Sequence, residues 1–107
     1  MAELNEGAHA RVELAEKTAD TTTISIGGEI DISNDVTVQH EVEHLLELLP
    51  QRLVFDLAEL TFMDSSGIAV LLRVAARVTR VDVRNATRAV RRIIETTGVD
   101  GVLHLEP

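Results

Sequence analysis

Five residues near the middle of the chain, Leu53-Val54-Phe55-Asp56-Leu57, constrain the fold more than any other stretch. The run is too short for a helix and apolar at both odd and even positions. That combination reads as a strand buried on both faces at the centre of a sheet, and a sheet of that kind needs helices packed against it.

The flanking sequence supplies both. Arg11 to Ala15 alternates, as does Thr23-Ile24-Ser25-Ile26 after a polar connection, so an antiparallel pair opens the chain. Gly27-Gly28 is expected to break the second of these strands, and the polar stretch from Glu29 to Asp35 offers N-cap side chains for a helix. Val38, Val42, Leu45, Leu46 and Leu49 fall on one helical stripe, with Pro50 as the stop. Gln39, Glu41, Glu43, His44 and Glu47 form the opposite face, expected to meet water. A second helix is predicted to start at Ser65-Ser66, with Ile68, Leu71, Leu72, Ala75 and Val78 inward. Val81-Asp82-Val83 reads as a strand, Asn85-Ala86-Thr87 as a capping turn, and Val90, Ile93 and Ile94 as the stripe of a third helix ending near Gly98. Val102 to Leu105 adds a last short strand. The order predicts an α/β fold, a mixed β-sheet with helices packed against it, in a single domain over residues 1–107 that leaves residues 1–9 free to form a flexible tail.

Composition narrows the function. At 107 residues there is room for one core. No apolar run approaches the roughly 20 residues of a membrane span, and the acidic start Met1 to Glu6 lacks the basic and apolar segments of a secretory signal. Without cysteine there is no disulfide frame and no thiolate nucleophile or metal ligand, and a cytoplasmic location is expected. The net charge of -8 argues against direct nucleic-acid binding, and Phe55 and Phe62 alone make no stacking platform. The charge is uneven: residues 1–64 hold 14 acidic and 3 basic side chains, residues 65–107 hold 4 and 7. Either the two halves are simply solvated differently or the surface steers partners.

The informative segment is Phe62-Met63-Asp64-Ser65-Ser66-Gly67-Ile68-Ala69-Val70-Leu71-Leu72. Both serines fall where backbone N–H groups lack partners and the helix dipole is positive, so either could cap the helix and a phosphate would be tolerated. A phosphate there would add about -1.5 to -2 charges beside Asp64 and Asp31, erasing a binding surface without unfolding the chain. Simple capping is the competing explanation. A serine hydrolase is not indicated, since the segment is not Gly-x-Ser-x-Gly and none of His9, His40, His44 and His104 sits in a catalytic context. His40 and His44 are four apart, but among glutamates and without a His-Glu-x-x-His pattern they read as solvated surface, so no metal is expected. The arginines from Arg73 to Arg92 read mostly as surface solvation, with contact to an acidic partner as the other possibility.

The segment resembles the signature of the STAS domain in its anti-sigma factor antagonist branch. Gly28-Glu29-Ile30-Asp31 is similar to the family's strand-to-loop Gly-Glu-Leu-Asp, Val54 to Leu57 to its central strand, and Ala89 to Gly98 to its late helix. The resemblance implies a non-enzymatic switch without cofactor. Ser66 would be the phosphoacceptor, Ser65 its neighbour, plausible cap and alternative acceptor, and Asp31, Asp64, Ser65, Gly67 and Ile68 the partner-binding residues. Asp31 serving only as a loop or N-cap residue stays open. The implied partners are an anti-sigma factor with serine kinase activity and a serine phosphatase, with no nucleic acid or membrane contacted directly. An accessory subunit of a transporter, without serine phosphorylation, is the alternative. Two departures from the family pattern are the short stretch after Val78, which implies an abbreviated strand before Asn85, and an end at Pro107 without a final helix, which implies a less covered sheet edge.

Overall fold

The computed structural model describes residues 7–46 and 50–107. Six strands and three helices follow in the order β1 (Ala10–Lys17), β2 (Thr21–Ile30), α1 (Asp35–Leu45), β3 (Arg52–Asp56), β4 (Leu60–Met63), α2 (Ser65–Ala75), β5 (Arg80–Arg84), α3 (Arg88–Thr96) and β6 (Leu103–Leu105). They build one mixed sheet of order β1-β2-β3-β5-β6, in which β1 is antiparallel to β2 and the remaining pairs are parallel. The expected α/β architecture is therefore the observed one, with β3 at its middle.

Three expectations about the elements are corrected. Gly27-Gly28 does not break β2, which runs through both glycines. Gly28 adopts φ 95°, a conformation that costs glycine little, and a Cβ there would lie 2.2 Å from the His9 carbonyl oxygen. At this pivot β2 passes from β3 to β4: Thr21 to Ser25 pair with β3, and Gly28 to Ile30 with Leu60, Phe62 and Met63. β4 was not anticipated at all; it lies on the same side of β2 as β3 and carries that edge onward. The strand before Asn85 is not abbreviated either, since β5 has five residues paired one to one with β3.

The three helical connections, β2–α1–β3, β4–α2–β5 and β5–α3–β6, each move one place in the same direction along the sheet, and right-handed crossovers then put all three helices on one face. The packing agrees. Val38, Val42 and Leu46 of the α1 segment, Ile68, Leu71 and Val74 of α2, and Val90 and Ile94 of α3 share one core with Ile24, Leu53, Phe55 and Val83. Val54 is as fully buried as Phe55 but stands outside that cluster. β3 is thus covered on both faces, as its composition demands, by different means. On the face away from the helices Val54 lies between Thr23 and Asp82 in a polar layer.

That layer is tightly connected. The Asp82 side chain, 2% exposed, accepts from Arg52 Nε at 2.5 Å and from Arg80 Nε at 3.1 Å, and His104 Nδ1 stands 3.6 Å away. Burial raises the pKa of Asp82, and the two arginines outweigh it, leaving the carboxyl below its ordinary value. Glu106 ties Arg52 and Arg84 together from the end of β6. Arg73 of α2 and Arg77 just after it bond Gln39 and Glu43 of α1, and those two residues of α1 are half-buried rather than facing water. Most of the arginines expected to be solvated are therefore cross-links. Leu49 and Glu47 lie outside the described residues, as do residues 1–6 of the expected tail, whereas Ala8 and His9 bond to Ser33 and Glu29.

Candidate functional site

The β2–β4 pairing assembles the site. Ile30 lies opposite Met63, and the Asp64 N–H donates to the Ile30 carbonyl at 3.3 Å, so the next residues, Asp31 and Asp64, emerge side by side from two parallel strands. Each starts the segment leading into a helix. The unanticipated β4 is thus the element that brings together the two acidic residues the sequence singled out.

Asp64, and neither serine, caps α2. Its backbone is extended and its Oδ1 accepts from the Ser66 N–H at 2.8 Å, while its carbonyl accepts from Gly67 and Ile68. This corrects the expectation of a serine cap: the carboxylate reaches the second free N–H of the helix, and both hydroxyls are left for other use. Ser65 is exposed and Ser66 half-buried, and neither hydroxyl makes a hydrogen bond among the described residues. Gly67 and Ile68, expected on the partner-binding surface, are buried. A Cβ on Gly67 would come within 2.6 Å of Met63 Cγ, so glycine lets the first turn of α2 sit down on β4. Both residues hold the surface from beneath.

Asp31 is fixed by its own loop. Its Oδ1 accepts from the Ser33 N–H at 2.7 Å and from the Ser33 hydroxyl at 2.6 Å, and Ala8 N–H in turn donates to Ser33 Oγ. Asn34 Oδ1 accepts from Asp31 N–H and its amide donates to the Glu29 carbonyl, closing the turn from the other side. The Ser33 hydroxyl, followed by the Ser33 N–H, holds the Asp31 carboxyl below its ordinary pKa. Beside it Ile32 and Val36 are 81% and 61% exposed. Sequence reasoning passed over both; the signal was an isoleucine with no helical or strand partner inside a polar loop.

A family model described as "Mlab, STAS domain" matches residues 13–106. The chain belongs to the STAS domain family. This STAS domain superposes on an anti-sigma factor antagonist from Mycobacterium paratuberculosis with TM-score 0.82 at 25% identity, covering 92% of this chain and 86% of that one. The anti-sigma factor antagonist SpoIIAA in its unphosphorylated form matches with TM-score 0.71 at 20% identity, over 91% of this chain and 89% of that one. Phosphorylated SpoIIAA of Bacillus matches with TM-score 0.66 at 19% identity, over 91% and 92%. At that identity the two SpoIIAA structures establish likeness of fold. No protein of curated function matches.

Among the described residues of the STAS domain, no helix is long and apolar enough to cross a membrane, and no group of three His, Cys, Asp or Glu is placed to hold a metal ion. His40 and His44 stand together on the exposed side of α1 beside Val12, Glu41 and Leu45.

Proposed function

We propose that this STAS domain is an anti-sigma factor antagonist switched by phosphorylation of Ser66. In its unmodified form it binds an anti-sigma factor that is itself a serine kinase, and so releases a sigma factor. The kinase transfers the γ-phosphoryl group of ATP to Ser66 Oγ, which loses its proton as ADP leaves, and binding ends. A serine phosphatase restores the hydroxyl by hydrolysis. The chain is then a ligand and a substrate, not a catalyst, and works in the cytoplasm with its partners.

The observation that carries this reading is the Ser66 hydroxyl, without a hydrogen bond among the described residues, at the second position of a helix whose cap is a carboxylate. The helix dipole tolerates a phosphate at that position, so the fold survives it. Asp64, which accepts a hydrogen bond from the Ser66 N–H, and Asp31, fixed on the neighbouring strand end, would then stand beside about -1.5 to -2 further charges. An acidic or apolar partner surface seated over Asp31, Asp64 and Ser65, with Ile32 and Val36 as apolar contacts, would be repelled. Gly67 and Ile68 keep that surface in place. Ser65, more exposed, is the alternative acceptor.

Calorimetric titration with a candidate cognate anti-sigma kinase tests the proposal. Ser66→Ala should bind like the unmodified chain, and Ser66→Asp should lose affinity by about a hundredfold with its melting temperature little changed, as a charge opposed across an interface does. Unchanged affinity in Ser66→Asp would refute the switch. Co-purification with a membrane complex and no kinase would favour the transporter-subunit alternative.

A further inference from the structure

β4 and α3 meet along a groove that the Ser66 surface does not use. Its walls are Phe62 and Met63 from β4 and Ala89, Arg92, Ile93 and Thr96 from α3. Phe62 is 49% exposed, an aromatic ring left half in water on a short strand. The volume, 320 Å³, sits at the low end of the roughly 300–1,000 Å³ of small-molecule pockets, and the lining offers no carboxylate and one cation. Such a groove suits a row of apolar side chains better than a cofactor.

The charge around it is distinctive. Arg92 lines the groove, and Arg88 stands one turn before it on the same side of α3; both are exposed. Neither makes an ion pair or hydrogen bond among the described residues, whereas Arg73, Arg77, Arg80, Arg84 and Arg91 all do. On a chain of net charge -8, two uncommitted cations thus flank an apolar groove. We infer that this groove is a second docking surface, for an acidic amphipathic helix of a protein partner. Its apolar side chains would lie against Phe62 and Ile93, and its carboxylates would meet Arg88 and Arg92, the helix-in-groove mode with electrostatic complementarity at the rim. The surface does not depend on the state of Ser66.

Amide chemical shifts of the isotope-labelled full chain test this directly. The probes are a synthetic amphipathic helical peptide with leucines on one face and glutamates elsewhere, and its counterpart with lysines in place of glutamates. The glutamate peptide should move the amides of Phe62, Met63, Ala89, Arg92, Ile93 and Thr96. Its affinity should fall by about tenfold or more in Arg88→Glu/Arg92→Glu and in Phe62→Ser, and should weaken with added salt. Ser66→Asp should leave it unchanged. No shifts at the groove, or equal binding of the lysine peptide, would overturn the inference. So would concentration-dependent shifts at these residues without peptide, which would make the occupant a second copy of this chain.

Discussion

At the residue scale the site rests on two carboxylates with different jobs. Asp64 closes the first turn of α2 through the Ser66 amide, and Asp31 is a fixed charge held by Ser33. Asp64→Ala should therefore lower stability by about 1 kcal/mol in denaturant unfolding, with Asp64→Asn close to the parent because asparagine also caps. Equal stability of the alanine variant would remove Asp64 from the cap. Ser33→Ala should raise the Asp31 pKa, read by carboxyl NMR titration, because the hydroxyl is the largest cause of its depression. A depressed carboxyl favours the folded state above its unfolded pKa of about 3.9, and that contribution fades as pH falls through the folded value. An unchanged pKa would show that the hydroxyl does not hold the charge. The place of Ser66 in the first turn of α2 was legible in the sequence because a helix start depends on local spacing. Its cap was not, since three consecutive residues, Asp64, Ser65 and Ser66, all have side chains able to reach the same N–H groups.

At the scale of elements, the long periodic segments could be read and the paired ones could not. α2, α3 and β3 follow from their own apolar patterns. β4 has four residues and becomes a strand only because β2 continues past β3 to meet it. β2 in turn can continue only because Gly28 turns without a Cβ under the His9 carbonyl. A double glycine has the same appearance in sequence whether the chain stops or pivots there. Gly28→Ala should cost about 2–4 kcal/mol, combining strain at positive φ with a backbone clash, and should loosen β4 and the site with it. Near-parental stability in chemical denaturation would contradict the pivot. Hydrogen exchange should show the loss first at the amides of Glu29, Ile30 and Met63.

At the scale of the whole molecule, the two faces of the sheet divide the work. The helical face carries the apolar core and presents α2, while the opposite face is closed by Arg52, Arg80, Arg84, Asp82 and Glu106. Asp82 is a lone acid between two valines in the sequence; Arg80 reaches it from two residues earlier on β5, and Arg52 of β3 reaches it only through the parallel register. Because its folded pKa is depressed, its contribution is present above about pH 4 and is lost as pH falls through the folded value. Asp82→Asn should be about 1–3 kcal/mol less stable near neutrality, the difference shrinking in acid. A difference that did not vary with pH would exclude the ion pairs as its source. In the proposed switch, one hydroxyl at the head of α2 controls partner binding without touching this framework. The most direct measurement is intact-mass and peptide mapping after incubation with ATP and a candidate cognate anti-sigma kinase, with partner affinity measured on the same material. The expected result is a single phosphate on Ser66, loss of binding and an unchanged fold; no phosphate on either serine, or a phosphate on Ser66 with binding intact, would contradict the switch.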